Sequence, residues 1–266
     1  MSQATTTSPE RRGFPRLLGG IVVKPYATLK YLSEHAKRAW WPPALLILIL
    51  TVTPIVAAVT SRQAQQATAA VREQMKEQWE EQGLSAEQQA QREQYTTSPL
   101  ITVVFPSMSR GVGQLVGWLV WAGALYLAGM ALGGRGTFGQ VFTIVVWAWL
   151  PRALRGLLQT IYIFATGQLI TNPGLSGLVQ ESWSVEDLAL NPPRVGQMVL
   201  RSLLGRIDFF LIWSLVLLVI GVSVTTRLSR RKSVMLTVAV WVLLTALSLI
   251  PTLFSGLFFS QMGATP

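Results

Sequence analysis

Five long apolar stretches run through this chain, from Trp40 to Thr60, Gly111 to Leu132, Gly139 to Ala165, Ile207 to Thr226 and Val234 to Phe258. A helix needs roughly 20 apolar residues to cross a hydrocarbon core about 30 Å thick, and every stretch meets that requirement. The expected fold is all-α: an integral membrane helical bundle with five transmembrane helices, interfacial helices and an extracytoplasmic helical hairpin.

Five spans take up nearly half of 266 residues, which leaves no room for a large soluble catalytic domain. Half the residues are hydrophobic and only 13% are charged, unlike a soluble domain. The formal charge of +10 would point to nucleic acid in a soluble protein. Here the basic residues collect beside spans, where they set orientation and meet anionic headgroups, so nucleic acid is not an expected partner. The absence of cysteine excludes disulfides, thiolate nucleophiles and cysteine metal sites. No paired acids, histidine cluster or Ser–His set lies within a span, so the sequence predicts no catalytic residue, cofactor or metal.

Arg11, Arg12, Arg16, Lys24, Lys30, Lys37 and Arg38 precede the first span, and Arg227, Arg230, Arg231 and Lys232 link the fourth to the fifth. The positive-inside rule puts both segments in the cytoplasm. The N-terminus is then cytoplasmic and the C-terminus extracytoplasmic, in a multi-pass protein of the plasma (cell inner) membrane. Residues 1–13 read as a disordered tail, 14–39 as a cytoplasmic amphipathic segment, 40–258 as the five-span domain and 259–266 as a short external tail. No signal peptide is expected, because Met1 to Arg12 leads into no short apolar core with a cleavage site.

Pro25 suits the first position of a helix. That helix places Tyr26, Leu29 and Ala36 on one face, with Lys30, Lys37 and Arg38 elsewhere. It reads as an interfacial helix on the cytoplasmic leaflet, ending at Trp40 and Trp41 in the aromatic belt. His35, the only histidine, has no partner for metal binding and reads as solvated or facing headgroups. Between spans one and two, residues 61–98 form an insert rich in Gln, Glu and Ala. Gly83 interrupts it and Ser85 with Gln88 makes a capping box, so a helical hairpin outside the membrane is expected. Val71, Met75 and Trp79 are its sparse apolar positions. It is either a solvated spacer or a docking element for a membrane-protein partner or a second copy.

Span two carries Gly113–Gly117 and Gly129–Gly133, whose spacing favours close helix packing inside the bundle. The Gly-rich link 133–139 lacks the Lys-Ser/Thr ending of a nucleotide loop and reads as a tight turn. Span three holds the clearest anomaly, Pro151, Arg152 and Arg155 deep within an apolar run. Arg152 lies thirteen residues past Gly139, about 20 Å along a helix, and Arg155 is on the same face. A cation at that depth costs several kcal/mol unless water or an acid reaches it. Asp208, at the outer start of span four, is the available acid for Arg155, while Arg152 snorkels past a Pro151 kink. Alternatively the arginines contact anionic headgroups or line a polar cleft between helices. Beyond span three, 169–178 reads as a short element dipping into the interface. Pro192 and Pro193 then precede a second interfacial helix from Val195 to Gly205.

Taken in order, these features resemble the bacterial branch of the Yip family, the Ypt/Rab-interacting membrane proteins. The resemblance rests on Lys24-Pro25-Tyr26-Ala27-Thr28-Leu29, Trp149-Leu150-Pro151, Asn172-Pro173-Gly174-Leu175-Ser176, Ile207-Asp208-Phe209-Phe210-Leu211-Ile212-Trp213 and the basic link Arg227 to Lys232. It covers roughly Phe14 to Phe259, with the Gln/Glu-rich insert departing from the compact loops of shorter relatives. Such a resemblance implies a non-enzymatic membrane organiser or adaptor. Eukaryotic members bind prenylated small GTPases and shape or sort membranes; a prokaryotic member is not expected to have those partners. The competing expectation is a transporter or scramblase-like protein moving lipid or a small solute along a cleft near Arg152 and Arg155.

Overall fold

A computed structural model describes residues 13–35, 39–170, 172–179 and 195–262. Expectations about Lys37, Arg38, Ala36, Thr171, Pro192 and Pro193, and about most of both tails, lie outside them. The described chain contains α1 (Phe14–Val23), α2 (Pro25–His35), α3 (Trp41–Thr60), α4 (Arg62–Glu81), α5 (Ala86–Thr97) and α6 (Phe105–Ala131). There follow α7 (Phe138–Ala148), α8 (Leu150–Thr166), α9 (Val195–Leu204), α10 (Phe209–Thr226) and α11 (Arg230–Met262). Five helical segments are long and apolar enough to cross a membrane: α3, the segment ending in α6, α7 with α8, α10 and α11. The fold is an all-α membrane bundle.

The third span is its axis. In its most apolar window 61% of residues are buried, against 22% for α3, α6 and α11 and 44% for α10. It is also two helices, where the sequence suggested one kinked span. Trp149 interrupts the backbone at φ −82° and ψ −9°, and Pro151 occupies the first turn of α8. Proline lacks the N–H that would continue the ladder, but in a first turn that N–H has no partner to lose. The break therefore costs little and re-aims the side chains after it.

Two glycines let neighbours approach this axis. A Cβ on Gly221 of α10 would lie 2.0 Å from Ile144 Cγ2 of α7, and one on Gly156 of α8 would lie 2.8 Å from the Leu50 carbonyl of α3. Pro54 cannot bond to that carbonyl, and the Thr53 hydroxyl donates to it instead at 3.2 Å. Next to this pair, Thr160 and Thr53 hydroxyls meet at 3.1 Å. Small residues and interhelical hydroxyls are what hold helices together where lipid removes the hydrophobic drive.

One end of the bundle gathers the N-terminal helices and the turns after α6 and α10. There Gly134 N–H donates to Gly129 O at 2.9 Å and Arg135 N–H to Thr226 O at 2.8 Å, with a Thr137–Gln140 capping box opening α7. This is a closed turn. At the other end α4 and α5 form the hairpin. Ser85 and Gln88 make the capping box between them, and Lys76 faces Glu93 across it at 3.6 Å. Trp79 is buried, Met75 is partly covered and Val71 is exposed. Residues 173–178 fold into a turn against α9, with Leu175 N–H on Leu204 O at 3.0 Å, and α9 packs on α11.

Two sequence expectations change. The α2 helix does begin at Pro25, but it docks on α7 and α10 through Thr28, Leu29, Leu32 and Ser33, leaving Tyr26 exposed. Gln140 Nε2 holds the Ser33 carbonyl at 2.8 Å, and Trp147 Nε1 holds the Ala39 carbonyl at 2.9 Å. A periodic apolar face does not distinguish protein from lipid as the surface it meets. Likewise, Gly113 and Gly117 face open space, and Gly133 lies in a turn at φ +83°; only Gly129 packs internally, on Thr226 and Leu236.

The two glycine contacts differ in kind, which makes them separable. Gly221→Ala should lower the melting temperature of the purified protein by an overpacking cost of about 1–3 kcal/mol. Combined with Ile144→Ala, the loss should fall below the sum of the two single changes. Gly156→Ala should be as costly, and Leu50→Ala should not relieve it, because the obstacle is a carbonyl. Relief by Leu50→Ala would mean that the backbone approach is not the constraint.

Candidate functional site

A cavity of about 500 Å³ opens between the spans in the half of the bundle nearer the hairpin. Arg110 and Gln114 reach it from α6, Arg152, Arg155 and Gln159 from α8, Arg206 and Asp208 from the link that opens α10, and Thr245 and Ser248 from α11. Ile47, Leu50 and Pro54 of α3, with Trp121, Trp149 and Trp241, supply its apolar wall. Four guanidinium groups thus share the lining with one carboxylate, a net of +3.

Local rules explain how each group is placed. Asp208 is the N-cap of α10, its Oδ1 accepting the Leu211 N–H at 2.7 Å. Capping fixes the carboxylate, and its other oxygen, Oδ2, lies 2.8 Å from Arg155 Nη1. Both side chains are mostly covered, Arg155 at 25% and Asp208 at 14% exposure, so the pair is a partly desolvated tie between the third and fourth spans.

Arg152 takes a different course from the snorkelling expected of it. Its guanidinium carbon sits 4.8 Å from the centroid of the Trp149 ring and faces the cavity. The break at Trp149 makes this possible by turning the indole toward α6. With its amide oriented to satisfy both neighbours, Gln114 Oε1 accepts from Trp149 Nε1 at 3.1 Å and Trp118 Nε1 at 2.8 Å. Trp121 packs edge-on against Trp149 at 5.2 Å. The aromatic face beneath Arg152 is therefore held from two sides, and cation–π attraction grows as the pair is desolvated. Arg206, at the rim, donates to the Ser248 hydroxyl. Arg110, also at the rim, is exposed.

The structure brings Pro151, Arg152, Arg155 and Asp208 to one place, Pro151 through the backbone and the others through their side chains. The remaining sequence-selected residues, apart from Lys37 and Arg38 outside the described segments, lie at the opposite end. Lys30, Arg230, Arg231 and Lys232 are exposed there, with Trp41 also exposed and Trp40 packed on Phe142 at 5.6 Å. His35 stacks on Tyr31 at 5.2 Å. Sequence reasoning passed over Arg110, Gln114, Arg206 and Ser248. Arg110 and Arg206 looked like ordinary flanking charges, yet both flank spans on the side predicted to be external, where the positive-inside rule gives basic residues no reason to be. That mismatch was the available signal.

Chemically, this lining offers donors and fixed positive charge. Arginine is a poor proton relay and a good partner for anions. Among the described residues no three of His, Asp and Glu converge as a metal site would require.

The ion pair gives a graded test in thermal unfolding of the purified protein. Asp208→Asn keeps a capping side chain and loses the charge, whereas Asp208→Ala loses both, so Ala should be worse by about 1 kcal/mol. A cycle of Asp208→Asn with Arg155→Met should show coupling of about 1–3 kcal/mol. Strict additivity would mean that the pair ties nothing.

The Yip1 domain profile matches residues 19–259, which takes in every span and every residue of the cavity. No curated protein and no solved structure matches the chain. With its five apolar spans running through almost the whole matched region, this chain belongs to the Yip1 domain family of membrane proteins.

Proposed function

We propose that this chain is a non-enzymatic organiser or adaptor of the plasma membrane, with its N-terminus in the cytoplasm and its C-terminus outside. The observation that carries the reading is the charge of one end of the bundle. Lys24, Lys30, Arg135, Arg227, Arg230 and Arg231 are all exposed there, and Glu34 is the one acid accompanying them among the described residues. A ring of basic side chains beside exposed Trp41 suits an anionic inner leaflet, each cation contributing about 1 kcal/mol near such a surface. The same ring sets orientation by the positive-inside rule. The hairpin 61–98 then projects from the outer face, available to a membrane-protein partner or a second copy.

The absence of native cysteine makes orientation directly measurable. Gln89→Cys in the hairpin should react with a membrane-impermeant maleimide on intact cells, and Ser229→Cys should react only after the membrane is opened. The opposite pattern would invert the topology. For the adaptor role, replacing 63–95 by a short linker should leave insertion intact while abolishing a complex that cross-linking captures with the parent. A complex that survives that replacement removes the hairpin from the proposal.

One observation favours a second reading, passage of lipid or a small solute along the cleft: the polar cavity beside Arg152 and Arg155. If it conducts, proteoliposomes should move fluorescent phospholipid between leaflets faster than empty vesicles, and Arg152→Ala should slow them. Equal rates with and without protein would remove the lipid version of that reading.

A further inference from the structure

We propose that the arginine-lined cavity is a binding site for a phosphate anion, presented by a phospholipid headgroup or as free phosphate. This goes beyond an organiser role and requires no transport.

The argument begins with unmet charge. Asp208 spends Oδ1 on the helix cap and Oδ2 on Arg155. Of the other three guanidinium groups, Arg206 meets the Ser248 hydroxyl, Arg152 the Trp149 face and Arg110 the mouth; the charge of Asp208 also reaches Arg152, but so do those of Arg155 and Arg206. Cations within a membrane bundle are costly unless a counter-charge reaches them. Among the described residues the protein places no second carboxylate in the lining.

Geometry narrows the anion. A guanidinium stacked on an indole keeps its N–H edge free, and that fork matches the paired oxygens of phosphate. Gln114 and Trp121 fix the indole, so Arg152 is held in place before any ligand arrives, which lowers the entropic cost of binding. The cavity, about 500 Å³, lies in the range of small-ligand pockets, about 300–1,000 Å³, and exceeds what a bare ion fills. Its other wall is apolar, formed by Ile47, Leu50, Pro54 and Trp241. Three open guanidinium groups beside an apolar wall suit a ligand with a charged head and a greasy continuation.

The test uses the full chain in nanodiscs, read by thermal unfolding and by native mass spectrometry. In neutral phosphatidylcholine, inorganic phosphate is titrated; in a parallel series, phosphatidylglycerol replaces part of the neutral lipid. Arg152→Gln, Arg110→Gln and Arg206→Gln are compared with the parent, the last two being rim residues whose loss should not unfold the protein. Stabilisation by phosphatidylglycerol alone, with one lipid retained on the parent and affinity lowered roughly tenfold or more by each change, identifies a headgroup site. Saturable stabilisation by inorganic phosphate in neutral lipid, lost in the same variants, identifies free phosphate. Arg152→Lys should recover only part of the affinity, since a point charge replaces the fork.

Equal stabilisation of parent and variants by phosphatidylglycerol would assign the effect to the basic end and overturn the site. No response to either anion would also overturn it. The sequence carries Glu181, Glu186 and Asp187 outside the described residues. Should only the variant neutral at all three respond to the anions, the chain supplies its own counter-charge and the proposal fails.

Discussion

The break at Trp149 in the third span is the constraint on which the rest depends. An uninterrupted helix from Phe138 to Thr166 would carry the Trp149 ring on a continuing spiral, and Arg152 would follow it one turn later. Instead α7 ends, Trp149 adopts a turn conformation, and Pro151 starts α8 where its missing N–H does no harm. In lipid a backbone interruption is tolerated where it is buried in protein and its polar groups are met. Here Trp149 is buried, its N–H reaches the Val146 carbonyl at 3.1 Å, and its own carbonyl accepts the Arg152 N–H at 3.0 Å. The interruption is thereby self-contained, and its product is an aromatic platform for a cation.

The helices around that axis read with differing ease from the sequence. Spans, the Pro25 helix start and the Ser85–Gln88 cap are local features, each set by a run of apolar residues or by one side chain meeting a nearby backbone group. The pairing of Arg155 with Asp208 was also accessible, because depth along two helices follows from residue count and the cost of a lone cation demands an acid. What escaped was whatever depends on which surface an apolar face meets. Leu29 and Leu32 of α2 face protein while Gly113 and Gly117 of α6 face open space, and nothing in the local spacing tells one case from the other. Arg110 and Arg206 escaped for another reason: each sits at the edge of an apolar run, where a basic residue ordinarily needs no explanation.

Two kinds of hydroxyl recur inside the spans. Thr51, Thr143, Thr160, Thr166 and Thr226 each donate a hydroxyl to a carbonyl four residues earlier, so they satisfy themselves within their own helix. Ser214, Thr225, Ser233 and Thr237 are buried without a partner, at a cost a neutral hydroxyl keeps to about 1–3 kcal/mol each. Neither kind implies a ligand. A guanidinium group has a full charge and five donors, and no single backbone carbonyl answers both. Arginine in the bundle must therefore be matched by something of opposite charge or by water. Among the described residues the chain meets that need once, at Asp208, and draws three further arginines to the same opening from α6, α8 and the link before α10. Convergence from three elements is not what flanking charges on separate spans would produce, since those point outward to the headgroups nearest each helix end. The cavity is in this sense a structural commitment: among the described residues, the helices that build it gather more fixed positive charge than Asp208 offsets.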